Sequence, residues 1–432
     1  MELNSSVMNQ SVDEIKHFQE QKLREVLRYV SQHSPFYKQL YQEQHVDLSA
    51  IQTLEDLSLL PLITKDDLQR NNDDFFCVDK TQIIDYATTS GTLGDPVTFG
   101  LTDKDLDRLA FNEATSFTIA GVQKGDTVQL MTTIDRRFMA GLAYFLGLRK
   151  LGAGVIRVGA GIPQLQWDSI LKYQPKYLIG VPSFLLKLID YAEKVGIDYK
   201  NSSVQGVICI GEALRTADLQ PSILANRILE KWPLELFSTY ASTEMGAAFT
   251  ECHLHQGGHV IPELIITEIV DEANIPVQEG ELGELVITTL GVEGIPLVRF
   301  KTGDMVRKHT TPCLCGRNSY RLGPVEGRKK HMIKYKGTTF YPPVIHDILN
   351  AFKSIQMHLV EVKTNDIGTD EIVIRLVSTD TSDEYMKQIK DTFRAKLRVT
   401  PQVVFEEIEV LQPIIFNALS RKPITFIDKR VQ

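Results

Sequence analysis

The chain has 432 residues, 43% of them hydrophobic and 24% charged, which is ordinary usage for a globular protein and excludes a disordered, collagen-like or disulfide-scaffold chain. Its formal net charge of −8 makes it a poor general binder of nucleic-acid backbones, and five cysteines are too few for a disulfide framework. The first residues lack a basic stretch followed by an apolar one, so no secretory signal is read, and the most apolar run, Phe138 to Leu148, is too short for the roughly 20 residues of a membrane span. A cytoplasmic protein with no membrane or nucleic-acid partner is therefore expected.

Residues 12–45 carry helical signals, with Leu23, Val26, Leu27 and Val30 on one apolar face and Ser34-Pro35 as a stop. Thr64 is a candidate N-cap for Lys65-Asp66-Asp67-Leu68, where the helix dipole favours the two carboxylates. From about 80 to 215, β-rich runs beginning at Val128, Gly154, Tyr177 and Gly206 alternate with helical stretches such as Ala140–Leu151 and Ser183–Val195. That alternation predicts a parallel sheet with crossover helices and ligands at the carboxyl ends of the strands. From 259 to 308, Leu264–Val270, Glu284–Thr289 and Leu297–Lys301 read as antiparallel strands. The last hundred residues form a separate unit: strands Leu359–Lys363 and Glu371–Val377, a helix Glu384–Leu397 and a strand Val403–Val410, with a small basic excess over an acidic remainder.

Five segments carry chemistry. Thr88 to Pro96 offers hydroxyls and free backbone N–H groups suited to phosphate oxygens, without the Gly-Lys-Ser/Thr ending of a Walker loop. Ser238 to Gly246 offers a tyrosine for a purine face and a hydroxyl beside a carboxylate for Mg²⁺; its bland alternative is a capped helix N-terminus. Asp304 follows a glycine in Pro296 to Asp304 and can accept ribose hydroxyls, against the alternative of a plain hairpin turn. Gly327 to Gly337 lies at the junction of the two units, and Ser420 to Asp428 lies near the end.

In their order these segments resemble the adenylate-forming superfamily of acyl-CoA synthetases. The closer resemblance is to the phenylacetate–CoA ligase family, on Arg28 to Val30, Ser34 to Tyr37, Leu54 to Leu57, Leu60 to Lys65, Pro182 to Leu186 and Gly211 to Ala213. The resemblance implies an α/β fold in two parts: a large AMP-binding domain, 1–328, of mixed and parallel sheets with helices plus a β region, and a small mobile α+β domain, 329–432. It implies ATP-dependent conversion of an aryl or arylacetic acid to an acyl-adenylate, then transfer to coenzyme A. Lys422, Glu244 and Thr243 would be catalytic, with Mg²⁺ on the latter two. Ser90, Gly91, Thr92 and Gly94 would hold phosphates. Tyr240 would stack on adenine beside Gly211 and Glu212, Asp304 and Arg328 would grip the ribose, and Lys336 and Gly337 would serve the thiol step. The acid's tail would lie near Phe138, Tyr144, Pro182 and Phe184. A homodimer is a family expectation. Two departures stand out: Asp95 replaces a lysine common in the phosphate loop, and Ala241 replaces a glycine after the tyrosine.

Cys252, with His253, His255 and His259 close behind it, and the tight Cys313-Leu314-Cys315-Gly316 turn offer a three-thiolate, one-imidazole set suited to structural Zn²⁺. By the same resemblance His259 is the fourth ligand, with His255 in reserve. Competing readings are an adenylating enzyme with a non-CoA acceptor, either a carrier protein or a cofactor, and a non-catalytic nucleotide-binding zinc protein.

Overall fold

The computed structural model describes residues 7–89, 96–335, 338–364, 370–417 and 423–430. The chain divides into two compact units, Met1–Pro221 with Ala225–Pro324, and Val325–Gln432 with Ser222–Leu224.

The large unit is built on a nine-stranded sheet. Five parallel strands run in the order Gly154–Arg157, Thr127–Leu130, Tyr177–Gly180, Gly206–Ile210 and Glu235–Ser242. Tyr177–Gly180 and Gly206–Ile210 are buried throughout, as parallel strands covered on both faces must be. The sheet then turns antiparallel through Ala247–Thr250, Gly258–His259, Arg321–Leu322 and Lys308–His309. Crossover helices Met139–Leu151, Pro163–Tyr173 and Pro182–Val195 cover it. Two start with proline in the first turn, where the missing N–H costs nothing, and two stop on a left-handed glycine, Gly152 and Gly196. Trp167 and Trp232, both 1% exposed, stack at 5.5 Å beneath them.

A separate antiparallel ladder joins Ile265–Val270, Gly283–Thr289 and Phe300–Val306. The last strand starts three residues later than the alternating pattern predicts. Arg299 takes a left-handed backbone (φ +48°), held there by two bonds to the Glu268 carboxylate, 3.0 and 2.8 Å, and one to the Leu60 carbonyl, 2.6 Å. The N-terminal helices Val12–His33 and Pro35–Glu43 meet at Ser34, which accepts from Tyr37 N as the second helix's N-cap. They anchor far along the chain: Gln19 donates to the Ile265 carbonyl, 2.9 Å, and Val298 N donates to the buried Tyr37 hydroxyl, 2.7 Å. Thr64 caps Lys65–Arg70 in a capping box with Asp67.

In the small unit Ile355–Thr364 and Asp370–Ser378 pair antiparallel, flanked by parallel strands Phe426–Asp428 and Gln402–Phe405. Helices Pro342–Asn350 and Asp383–Leu397 pack on a core that includes Ile345, Val360, Ile374, Ile389 and Phe393. The single strand expected over Val403–Val410 is instead a strand to Phe405 and a helix, Ile408–Ile415, whose Leu411 and Ile415 are buried. The apolar run misleads here because Ile408 and Val410 lie on the exposed side of a short helix whose buried face is Leu411 and Ile415. Gly327 allows a close approach: a Cβ there would lie 2.2 Å from the Tyr341 ring. Among the described residues no helix is long and apolar enough to cross a membrane.

Helix Asp103–Ile119 is buried almost throughout and includes Glu113, 4% exposed. Asn112 donates to its Oε1, 2.9 Å, and Oε2 has no hydrogen-bond partner among the described residues. Burial pushes its carboxyl up to about 8, so the group is protonated at neutral pH. Because the folded state holds this proton more tightly than the unfolded one, stability falls as pH rises from the ordinary carboxylate range towards 8. The slope is about 1.4 kcal/mol per unit. Glu113→Gln is expected to remove it: thermal melts at pH 5 should match wild type, and the variant should melt progressively higher than wild type up to pH 8. Parallel curves across that range would show that Glu113 is charged in the fold.

Candidate active site

The carboxyl ends of the parallel strands bring three of the sequence segments together. Gly206–Ile210 ends at Gly211, whose φ of +79° is one that glycine adopts without strain, and the chain turns into Glu212-Ala213. The neighbouring strand, paired Ile210 to Thr239, continues through Tyr240 to Ser242. It is followed not by a helix start but by a four-residue turn, Thr243 to Gly246, and the return strand Ala247–Thr250. Ser242 closes the turn, accepting from Met245 N on its hydroxyl and from Gly246 N on its carbonyl, both 3.3 Å.

Tyr240 packs its ring 5.7 Å from that of its cross-strand partner Phe249, and its hydroxyl donates to Asp304 Oδ2 at 2.7 Å. Asp304 is 6% exposed. It sits not on a hairpin turn but within strand Phe300–Val306, where the register slips against Glu284 and Val286. Gly303 takes φ +77° at this bulge, and Thr302 Oγ1 accepts from Asp304 N, 3.1 Å, while donating to the Leu285 carbonyl, 2.9 Å. A bulge beside a site is a device for re-aiming a side chain.

Two contacts have no local sequence signal. The Glu212 carboxylate accepts from both the backbone N and the hydroxyl of Ser183, 2.8 Å each. Helix Pro182–Val195 has no side-chain cap of its own, so a carboxylate from the next strand end supplies it. Lys65, the first residue of its helix, places Nζ 3.9 Å from Glu244 Oε1, tying the N-terminal region to the turn. Tyr144, expected near the acid's tail, is 3% exposed and packs in the core with Phe117 and Leu130. Arg328 is exposed and belongs to the small unit. Ser90, Gly91, Thr92, Gly94 and Asp95 of the phosphate loop, Lys336 and Gly337 of the junction, and Lys422 lie outside the described residues.

The ligating atoms of Cys252, His259, Cys313 and Cys315 all lie within 4.8 Å of one another. β-pairing assembles them: Thr250, two residues before Cys252, pairs with His259, which also pairs with Arg321 beyond the cysteine turn. Gly316, at φ +88°, closes that turn onto the Cys313 carbonyl. Burial and the nearby Arg317 and Arg321 hold the His259 imidazole neutral, down to about 3. Three thiols and a neutral imidazole converging in a buried pocket are the donor set of a closed tetrahedral site. His255 is not among them; its ring lies 3.1 Å from the Glu235 carboxylate and 3.5 Å from that of Glu251. Glu251 is also paired with the buried Arg215, 3.2 Å, which links the residue before Cys252 to the loop that starts at Gly211.

A parallel sheet whose strand ends gather a tyrosine, two carboxylates and a glycine turn defines an α/β nucleotide-binding architecture. A family model for AMP-binding enzymes matches residues 9–293, and the chain belongs to that family. It is 28% identical to the phenylacetate–coenzyme A ligase of Thermus thermophilus over 383 residues, 87% of this chain and 84% of that one. It is 20% identical to protein CapK of Staphylococcus aureus over 401 residues, 90% and 84% of the two chains. Among solved structures, a 2-hydroxyisobutyryl-CoA ligase with a bound acyl-adenylate superposes with a TM-score of 0.84 at 22% identity, covering 98% of this chain and 91% of that one.

Proposed function

We propose that the chain is an AMP-forming acid–thiol ligase that activates an aryl or arylacetic acid with ATP and passes the acyl group to coenzyme A. The observation that carries this reading is the 2.7 Å bond joining Tyr240 to Asp304 at the sheet's carboxyl edge, beside Gly211 and the Thr243-Glu244 turn. In the first step the acid's carboxylate oxygen attacks the α-phosphorus of ATP and the bond to pyrophosphate breaks. In the second the sulfur of coenzyme A attacks the acyl carbon and AMP leaves.

The chain forms no covalent bond; its residues position and neutralise. Tyr240 stacks on adenine against the Gly211-Glu212 wall, and the Glu212 carboxylate, through Ser183, fixes that wall to helix Pro182–Val195. Asp304 and Arg328 serve the ribose hydroxyls. Ser90, Gly91, Thr92 and Gly94 cradle phosphates. Thr243 and Glu244 hold Mg²⁺, which when bound offsets phosphate charge through hard oxygen ligands. Lys422 relieves the repulsion between the acid and the α-phosphate, and Lys336 with Gly337 serves the thiol step. Cys252, His259, Cys313 and Cys315 would hold Zn²⁺, and a set of four protein donors would give it a structural role.

The test is a pyrophosphate-release screen over phenylacetic, benzoic, indolic and short aliphatic acids, with coenzyme A, a carrier protein, an amine or no acceptor. Release is expected only with an acid present and fastest with an aryl one, with the CoA thioester seen by mass. ATP binding without acid-dependent release would overturn the reading. An adenylate that ignores coenzyme A would move the assignment to another acceptor.

A further inference from the structure

Arg108 is 3% exposed in the middle of helix Asp103–Ile119, and no carboxylate pairs with it among the described residues. Its fork serves three main-chain carbonyls from three separate elements. Nε donates to Leu290, 2.7 Å, Nη2 to Leu264, 2.6 Å, and Nη1 to Gly246, 2.6 Å. Leu264 and Leu290 are already joined by a backbone bond, 2.8 Å, which makes a fixed base. Gly246 ends the turn that carries Thr243 and Glu244, and its φ of +50° is set there. One helical turn on, Asn112 Oδ1 accepts from Ala248 N, 3.0 Å. Two side chains on one helix face thus hold the exit of the turn on both sides of Ala247, while Ser242 holds its entry.

A buried unpaired cation is costly, and an apolar side chain would fill the same space more cheaply. What a guanidinium supplies that an apolar group or an ammonium does not is a planar fork able to reach three fixed acceptors at once. We infer that Arg108, supported by Asn112, is a positioning residue that fixes the Thr243-Glu244 turn for its divalent cation. This rests on the ligase reading above, in which Glu244 is the Mg²⁺ ligand. The arrangement acts on the geometry of the site and not merely on the stability of the fold. Its signature is therefore the metal requirement.

The experiment measures the half-saturating Mg²⁺ concentration for acid-dependent ATP–pyrophosphate exchange in the full chain, for wild type, Arg108→Lys and Asn112→Leu. This quantity does not depend on how much of a preparation is folded, so a partly damaged variant still reports. Arg108→Lys is expected to raise it about tenfold or more, by loss of charged hydrogen bonds, and Asn112→Leu by about threefold. Exchange at saturating Mg²⁺ should fall much less than at limiting Mg²⁺. If Arg108→Lys yields no soluble protein, Asn112→Leu decides. An unchanged half-saturation with a lower rate or melting temperature would make Arg108 a purely structural residue and overturn the inference. A wild-type chain silent with every acid overturns the ligase reading instead. The Mg²⁺ dependence of ATP binding by calorimetry on the same proteins then decides Arg108.

Discussion

Lys422→Ala is expected to lower acid-dependent ATP–pyrophosphate exchange by about 10²–10³-fold, the scale seen when one charge-stabilising group is removed from a site built by electrostatics. The same variant should still convert a synthetic acyl-adenylate and coenzyme A to the thioester, because the second step has no anion–anion encounter at phosphorus. A split between the half-reactions is the informative result. Loss of both would point to a damaged small unit, and exchange at a near wild-type rate would remove the lysine from the mechanism. Lys422→Arg keeps the charge on a wider, flatter head and should fall between.

The second large effect concerns the cysteine cluster. Purified chain is expected to carry one zinc per molecule, and Cys252→Ser or Cys313→Ser to lose it. Breaking a closed four-ligand set leaves buried thiols unpartnered and two β segments unpinned. Several kcal/mol are at stake, which in a chain of this size lowers the melting temperature by about 5 °C. The surviving folded fraction should keep its kcat, since the metal has no substrate position. Metal-free protein in which Cys313→Ser melts like wild type would show that the cluster is only three packed thiols and a histidine.

Much of this was legible in the sequence because it is local. The strand–helix alternation, the Ser34-Pro35 break, the Thr64 cap and the Cys-x-Cys-Gly turn each announce themselves within a few residues. The resemblance ranked residues that composition alone leaves equal, and two of them, Tyr240 and Asp304, meet in the fold. What stayed hidden depends on contacts across the fold. Arg108 reads as one more helix charge until Gly246, 138 positions away, is set beside it. Glu212 reads as part of a wall, yet its carboxylate caps a helix that begins 30 residues earlier. Arg299 hides a left-handed residue because the alternating pattern around it looks like strand. The resemblance prefers His259 to His255, and the strand register, Thr250 opposite His259, gives the physical reason the two rings part company.

The anchoring of the N-terminal helices has a consequence for how the protein is made. Tyr37 waits for Val298, 261 positions downstream, and Gln19 for Ile265, 246 downstream. At about 5–20 residues per second, a ribosome leaves Leu23, Leu27 and Val30 without their final cover for roughly 13–50 s. That interval exposes a nascent amphipathic helix long enough for a holdase to engage it. Translation halted before Val298 should yield an aggregating fragment, however complete the parallel sheet already is.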